Sequence, residues 1–287
     1  MRPGTLDTPT GERAPAGSRE EQFWTGILRG FGGALLFSLP ILLTMEMWWL
    51  GFYAYRWRLV LFLLVIVPVL VGLARYAGIR SAPSWTDDCI DAMTAYGIGF
   101  VASALVLPVL GIVTWDMPLR EIVGKIAVQA PPAAFGAILA RAQLGGTSPQ
   151  EEEEKARSGY PAELFFVAAG AFYLGATVAA TEEMVTIAYR MTPWHAMLLL
   201  AAEVLIMHVF LYSMRFHGAP EVPADTPWWS LLVRLTIPGY VLTLAVAAYI
   251  LWTFGRFEGL SLHWLLMYTL VLGLPCTVGG AAGRLIL

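Results

Sequence analysis

Residues 59–74 read LVLFLLVIVPVLVGLA, a run with no charged and no hydrogen-bonding side chain. About 20 predominantly apolar residues, each rising 1.5 Å, cross the roughly 30 Å hydrocarbon core of a bilayer. With its flanks to about residue 76 the run reads as a transmembrane helix. A membrane β-barrel would instead show short segments of alternating polarity, and this stretch alternates nowhere.

Seven similar segments surround it. In order, the spans expected are about 30–53, 59–76, 92–114, 122–142, 162–189, 194–214, 231–254 and 262–284. The fourth is the most polar, interrupted by Lys125, Gln129 and the Pro131-Pro132 pair. The fold class expected is all-α, a polytopic membrane bundle of about eight transmembrane helices. Composition agrees: of 287 residues 57% are hydrophobic and 14% charged, against roughly 25% charged in soluble domains, and the mean hydropathy is +0.65.

The same composition narrows function. A net charge of −3 offers no basic surface for nucleic acid. Cys89 and Cys276 sit in or beside apolar stretches and imply neither a disulfide framework nor a zinc cluster. Walker, dinucleotide, HExxH and GxSxG motifs are missing, so no enzyme and no cofactor is expected. Residues 1–27 are rich in Pro, Gly, Thr and charge and read as a flexible cytoplasmic tail, not a signal peptide. Residues 144–160 (with Glu151 to Glu154) read as an acidic linker between two membrane halves, 28–143 and 161–287.

Basic residues set the expected orientation. Arg2, Arg13, Arg19, Arg29, Arg75, Arg80, Arg141, Lys155, Arg157, Arg215 and Arg284 fall on the side of the N-terminus. Arg56, Arg58, Arg120, Arg190 and Arg256 fall on the other. The excess places both termini in the cytoplasm of a multi-pass protein of the cell (inner) membrane.

The two halves repeat one another. At an offset of 137, Gly33 meets Gly170, Thr44 meets Thr181, Glu46 meets Glu183, Met47 meets Met184 and Trp57 meets Trp194. At 143, Pro132 meets Pro275, Gly136 meets Gly279 and Arg141 meets Arg284. Four spans per half, an even number, make this a parallel repeat about an axis along the membrane normal. Small residues spaced by four (Gly136 with Ala140, Gly279 with Gly283) allow close helix contact.

The duplication singles out Glu46 and Glu183. Glu46 stands about sixteen residues into its span, roughly 24 Å along the helix and in the far third of the membrane. Acids at such depth are costly and are turned inward, paired or wetted. One reading makes Glu46 and Glu183 a cation- or proton-binding pair, with Thr44 and Thr181 as oxygen ligands and Glu182 beside them. The other makes them interhelical structural bonds. Glu203 and His208, in the sixth span, are secondary candidates for a core or proton-relay role. With His195 they do not share a helix face in the i,i+4 manner of metal ligands, and the metal content is left open. Asp87, Asp88 and Asp91 after Ser84 read as a capped first helical turn.

The segments FSLPILLTMEMWWLGFY (37–53), ATEEMVTIAYRMTPWHA (180–196) and EIVGKIAVQAPPAAFGAILAR (121–141) together resemble a group of bacterial polytopic integral membrane proteins defined by such Thr-x-Glu-Met spans. The resemblance covers about 30–287. It implies a multi-pass membrane protein and brings no activity with it. The function expected is a channel or secondary transporter for a small cation, proton-coupled or not. The alternative is a scaffold or sensor whose buried acids are structural. Lipid is the partner expected; oligomerisation has no support beyond the small-residue rows.

Overall fold

The computed structural model describes residues 16–76, 84–144, 160–213, 230 and 232–286. Most of the tail and of the acidic linker, including Glu151 to Glu154, lie outside the described residues. Within them the chain is helical: α1 (Ala16–Leu42), α2 (Met45–Tyr53), α3 (Arg56–Tyr76), α4 (Trp85–Val109), α5 (Leu119–Leu144), α6 (Tyr160–Ala179), α7 (Glu182–Arg190), α8 (Pro193–Ser213), α9 (Ile237–Thr253) and α10 (Leu262–Ile286). A π-helical turn, Leu232–Thr236, leads into α9. Eight of these helices are long and apolar enough to span a bilayer, as expected; α2 and α7 are not among them.

The first and fifth spans are shorter than expected, because each breaks at a threonine. Thr44 leaves helical geometry (φ −90°, ψ 114°) and Thr181 does the same (φ −72°, ψ 147°). The Thr44 hydroxyl donates to the Pro40 carbonyl at 2.6 Å and the Thr181 hydroxyl to the Val178 carbonyl at 2.8 Å. The Thr44 hydroxyl thus satisfies a carbonyl that the ending helix leaves without a partner, whereas the Val178 carbonyl also accepts the Thr181 amide at 3.0 Å. Trp48 of α2 reaches back in the same way, its indole N–H donating to the Leu42 carbonyl at 2.7 Å. The α2 and α7 helices therefore lie at the distal end of the bundle, the end opposite the start of α1.

Some helix bounds recur at a fixed interval. Helices α2 and α7, and α3 and α8, begin and end 137 residues apart. Helices α4 and α9 both close on a glycine in left-handed geometry, Gly111 (φ 71°) and Gly255 (φ 73°). In both, the next amide bonds back across the glycine, Ile112 to Leu107 and Arg256 to Leu251, each at 2.9 Å, the Schellman pattern. Packing corresponds too. Helix α5 crosses α1 where Gly136 meets Gly33, and α10 crosses α6 where Gly279 meets Gly170; at both crossings a Cβ would strike the partner's backbone.

The halves meet on an aromatic seam. Phe62 of α3 and Phe135 of α5 stack against Phe172 of α6, with centroids 5.5 and 5.8 Å apart, and Phe254 closes edge-on over Phe62 at 5.8 Å. Phe62 and Phe135 are buried. The Tyr173 hydroxyl donates to the Phe37 carbonyl across the seam at 2.6 Å. One cation, Arg58, ties the halves together at the distal end. Arg58 donates to the Trp252 carbonyl at 3.0 Å and to Glu258 at 2.8 Å, and it stacks between Trp57 and Trp252.

At the proximal end, Ser84 and Asp87 form the expected capping box of α4. Asp88 is buried and salt-bridged to Arg75 at 3.0 Å, with Arg75 over the Trp85 ring. That ion pair was not foreseen; it joins the last turn of α3 to the first turn of α4.

Candidate functional site

Polar side chains gather at two depths. The distal group is built by the two helix breaks. Ending α1 and α6 at threonine puts Glu46, Glu182 and Glu183 into the first turns of α2 and α7, where exposed amides favour negative charge. Glu46 is half-buried and Glu183 is exposed; both lie past the ends of the spans instead of within them. Glu182 is bound by Arg256 at 2.8 Å, and Arg256 also donates to the Ala180 carbonyl. The phenol of Tyr53 senses Glu46, Glu182 and Arg256 together. Its pKa is raised first by burial, is eased by Arg256 and is raised further by Glu182 and Glu46. Glu46 and Glu182 thus share a neighbourhood across the seam, whereas Glu183 makes no hydrogen bond or ion pair among the described residues.

The second group lies at the middle of a helix long enough to span a bilayer. Glu203 is the eleventh residue of α8, a helix of 21, and is wholly buried. Helix α9 presents Tyr240, whose hydroxyl donates to Glu203 Oε2 at 2.6 Å. The other oxygen, Oε1, has no hydrogen-bond partner. Helix α10 approaches with bare backbone, so that a Cβ at Gly273 would stand 3.0 and 3.2 Å from the two carboxylate oxygens. One turn away the Thr243 hydroxyl donates to the Tyr240 carbonyl at 2.8 Å and lies 3.5 Å from that of Thr277. Three helices thus enclose a carboxyl with one filled and one open oxygen.

His208 sits elsewhere, its Nδ1 2.9 Å from the Thr236 hydroxyl on the π turn; His195 pairs with Thr192. Among the described residues no three His, Cys, Asp or Glu side chains converge as metal ligands. Tyr240, Gly273 and the Thr243–Thr277 pair were missed in the sequence, where nothing connects three separate apolar helices. The available signal was a match at an offset of 144, Tyr96 with Tyr240, in line with Gly111 and Gly255.

The family described as "Putative integral membrane protein (DUF2391)" matches residues 26–287. The chain belongs to that family. It is an integral membrane protein, as the spans require. No curated protein and no solved structure matches it. Nearly all of the match is the helical bundle itself, so the site is interpreted from its own geometry.

Proposed function

We propose that this member of the family is a secondary carrier exchanging a small cation for a proton, with the Glu203 carboxyl as the group that takes up one or the other. One observation carries the reading: a glutamate at the midpoint of a span, sealed from solvent, holds one oxygen on Tyr240 and leaves the other open. Placing a charged carboxylate there costs about 3 kcal/mol on insertion scales, so the closed site is neutralised by a bound proton or cation. Swapping one for the other at one face, and making the reverse swap at the opposite face, is carrier chemistry. Glu46, Glu182 and Glu183 form the distal acidic mouth in this scheme, and Arg256 holds Glu182 across it.

The proposal includes a duplicated architecture, supported by helix boundaries that recur at an offset of 137 and by matched glycine crossings. It places both termini in the cytoplasm of a bacterial inner membrane, supported by the basic-residue bias. The aromatic seam favours a carrier over an open channel, since phenylalanine fills the interface where a central pore would run.

The scaffold reading also has an observation in its favour. The Tyr240–Glu203 bond ties α8 to α9, and such bonds are used structurally. Full-length protein in acid-loaded liposomes with an internal pH dye separates the two. Added Na+, K+, Mg2+ or Ca2+ is expected to drive alkalinisation for one cation, and Glu203→Gln to lose it while keeping its melting temperature. Wild-type flux that survives in Glu203→Gln removes the site. A protein that moves no proton with any of the four, and melts earlier as Glu203→Gln, is a scaffold.

A further inference from the structure

A cleft on the first half, outside the sites above, has the shape and charge of an amphiphile. It encloses about 510 Å³ between α2, α3 and α5. Helices α3 and α5 both start at the distal boundary and descend side by side. Each opens with an arginine, Arg56 or Arg120, and then shows apolar residues on the same face. On α3 these are Leu59, Val60 and Leu63; on α5 they are Val123 and Ala127. Spacings of three, four and seven keep each set on one helical face, and seven residues carry each wall about 10 Å into the membrane.

The floor is open because the residues there are small. Gly51 of α2 packs directly on Gly124 of α5, with no room for a Cβ on either, and the close crossing leaves a trough beside it. Both arginines are exposed and form no ion pair among the described residues. The nearest acid on α5, Glu121, is held by Lys125 at 2.7 Å. Two unneutralised guanidiniums thus stand where lipid headgroups lie, at the top of a trough lined by aliphatic side chains.

The geometry points to a binding site for an anionic glycerophospholipid, its phosphate between Arg56 and Arg120 and one acyl chain along the α3–α5 trough. Arginine suits the phosphate because its planar fork donates to two oxygens at once. The acyl chain follows from the apolar lining, which a free anion would not use. This inference needs the membrane setting alone and does not depend on the carrier reading.

The test is competition binding to full-length protein in neutral detergent, read by native mass spectrometry. Phosphatidylglycerol is expected to bind about thirtyfold more tightly than phosphatidylcholine, taking each basic residue at its usual membrane-surface contribution. Arg56→Gln with Arg120→Gln is expected to abolish the preference. Val60→Trp, at an exposed wall position, is expected to weaken phosphatidylglycerol binding by filling the trough while both arginines remain. Equal binding of the two lipids, or a preference that survives the double substitution, overturns the site. Displacement of the lipid by inorganic phosphate as effectively as by phosphatidylglycerol would show an anion site and overturn the lipid assignment.

Discussion

At corresponding depths the two halves of the bundle make opposite choices. In the second half, Tyr240 of α9 gives its hydroxyl to the Glu203 carboxylate. In the first half, Tyr96 of α4 gives its hydroxyl to the Leu63 carbonyl at 3.2 Å, and the position matching Glu203 is the buried Ile66. The first half instead buries Gln129 on α5, whose amide donates to the Ile41 carbonyl at 3.4 Å while its own oxygen lacks a partner; the matching position in α10 is Leu272. A shared frame of helix crossings therefore carries two different polar insertions. The difference teaches that frame and site are separable: crossings recur, and chemistry does not.

The largest effect is expected where the halves agree. Leucine at Gly136 or at Gly279 drives a side chain into the facing backbone and forces the crossing helices apart. Each change is expected to cost about 3 kcal/mol, the upper end of overpacking penalties, and to do so equally. The measurement is the fraction of monodisperse protein on size exclusion in detergent after graded heating. A tolerated leucine in one half only would break the correspondence of the two crossings.

A smaller effect is expected where they differ. Removing a hydroxyl by Tyr240→Phe leaves both carboxyl oxygens of Glu203 without a partner and is expected to cost about 2 kcal/mol, within the range for leaving a buried polar group unsatisfied. Tyr96→Phe removes a bond to a neutral carbonyl and is expected to cost about 0.6 kcal/mol, the average for interhelical bonds in membranes. Denaturation of the two variants side by side reads the difference. Equal losses would mean that the Glu203 pocket is no more demanding than its apolar counterpart.

The spans were legible because hydropathy over about 20 residues is a one-dimensional signal, and the glycine rows because small residues at fixed spacing mark close crossings. The breaks at Thr44 and Thr181 were hidden for a physical reason. LLTMEMWWLGFY stays apolar straight through the kink, and a threonine hydroxyl that bonds backward leaves no gap in hydropathy. Reading through it put Glu46 inside a span, whereas the chain has already left the membrane-length helix. The Glu203 pocket was half legible. A lone acid in an apolar run is visible, but Tyr240 and Gly273 come from helices 37 and 70 residues later, and only packing brings them to one point. The seam was not legible at all, because phenylalanines in a chain this apolar have no distinguishing period.

The smallest effect concerns the loops that close each half, α4 to α5 and α9 to α10. After Gly111 the first loop relies on Thr114, whose side chain hydrogen-bonds Asp116 and holds its carboxyl below the usual value of 3.8, with the backbone helping. After Gly255 the second loop relies on Arg256, which binds Glu182 within its own half, and on Glu258, which binds Arg58 across the halves. A carboxyl with a depressed pKa stabilises the folded state above its unfolded value and loses that contribution as pH falls through the folded one. Melting temperature is therefore expected to decline on acidification below about pH 4, and Thr114→Val is expected to remove only a minor part of the decline, since Asp116 is exposed to solvent. Tyr53 titrates at the opposite extreme. Its raised pKa keeps the folded state protonated after the unfolded chain begins to ionise near pH 10, so stability falls above that value and Tyr53→Phe flattens the fall. Melting curves across both ranges check the signs. An alkaline limb unchanged in Tyr53→Phe would detach that phenol from the acidic mouth that Glu46 and Glu182 form around it.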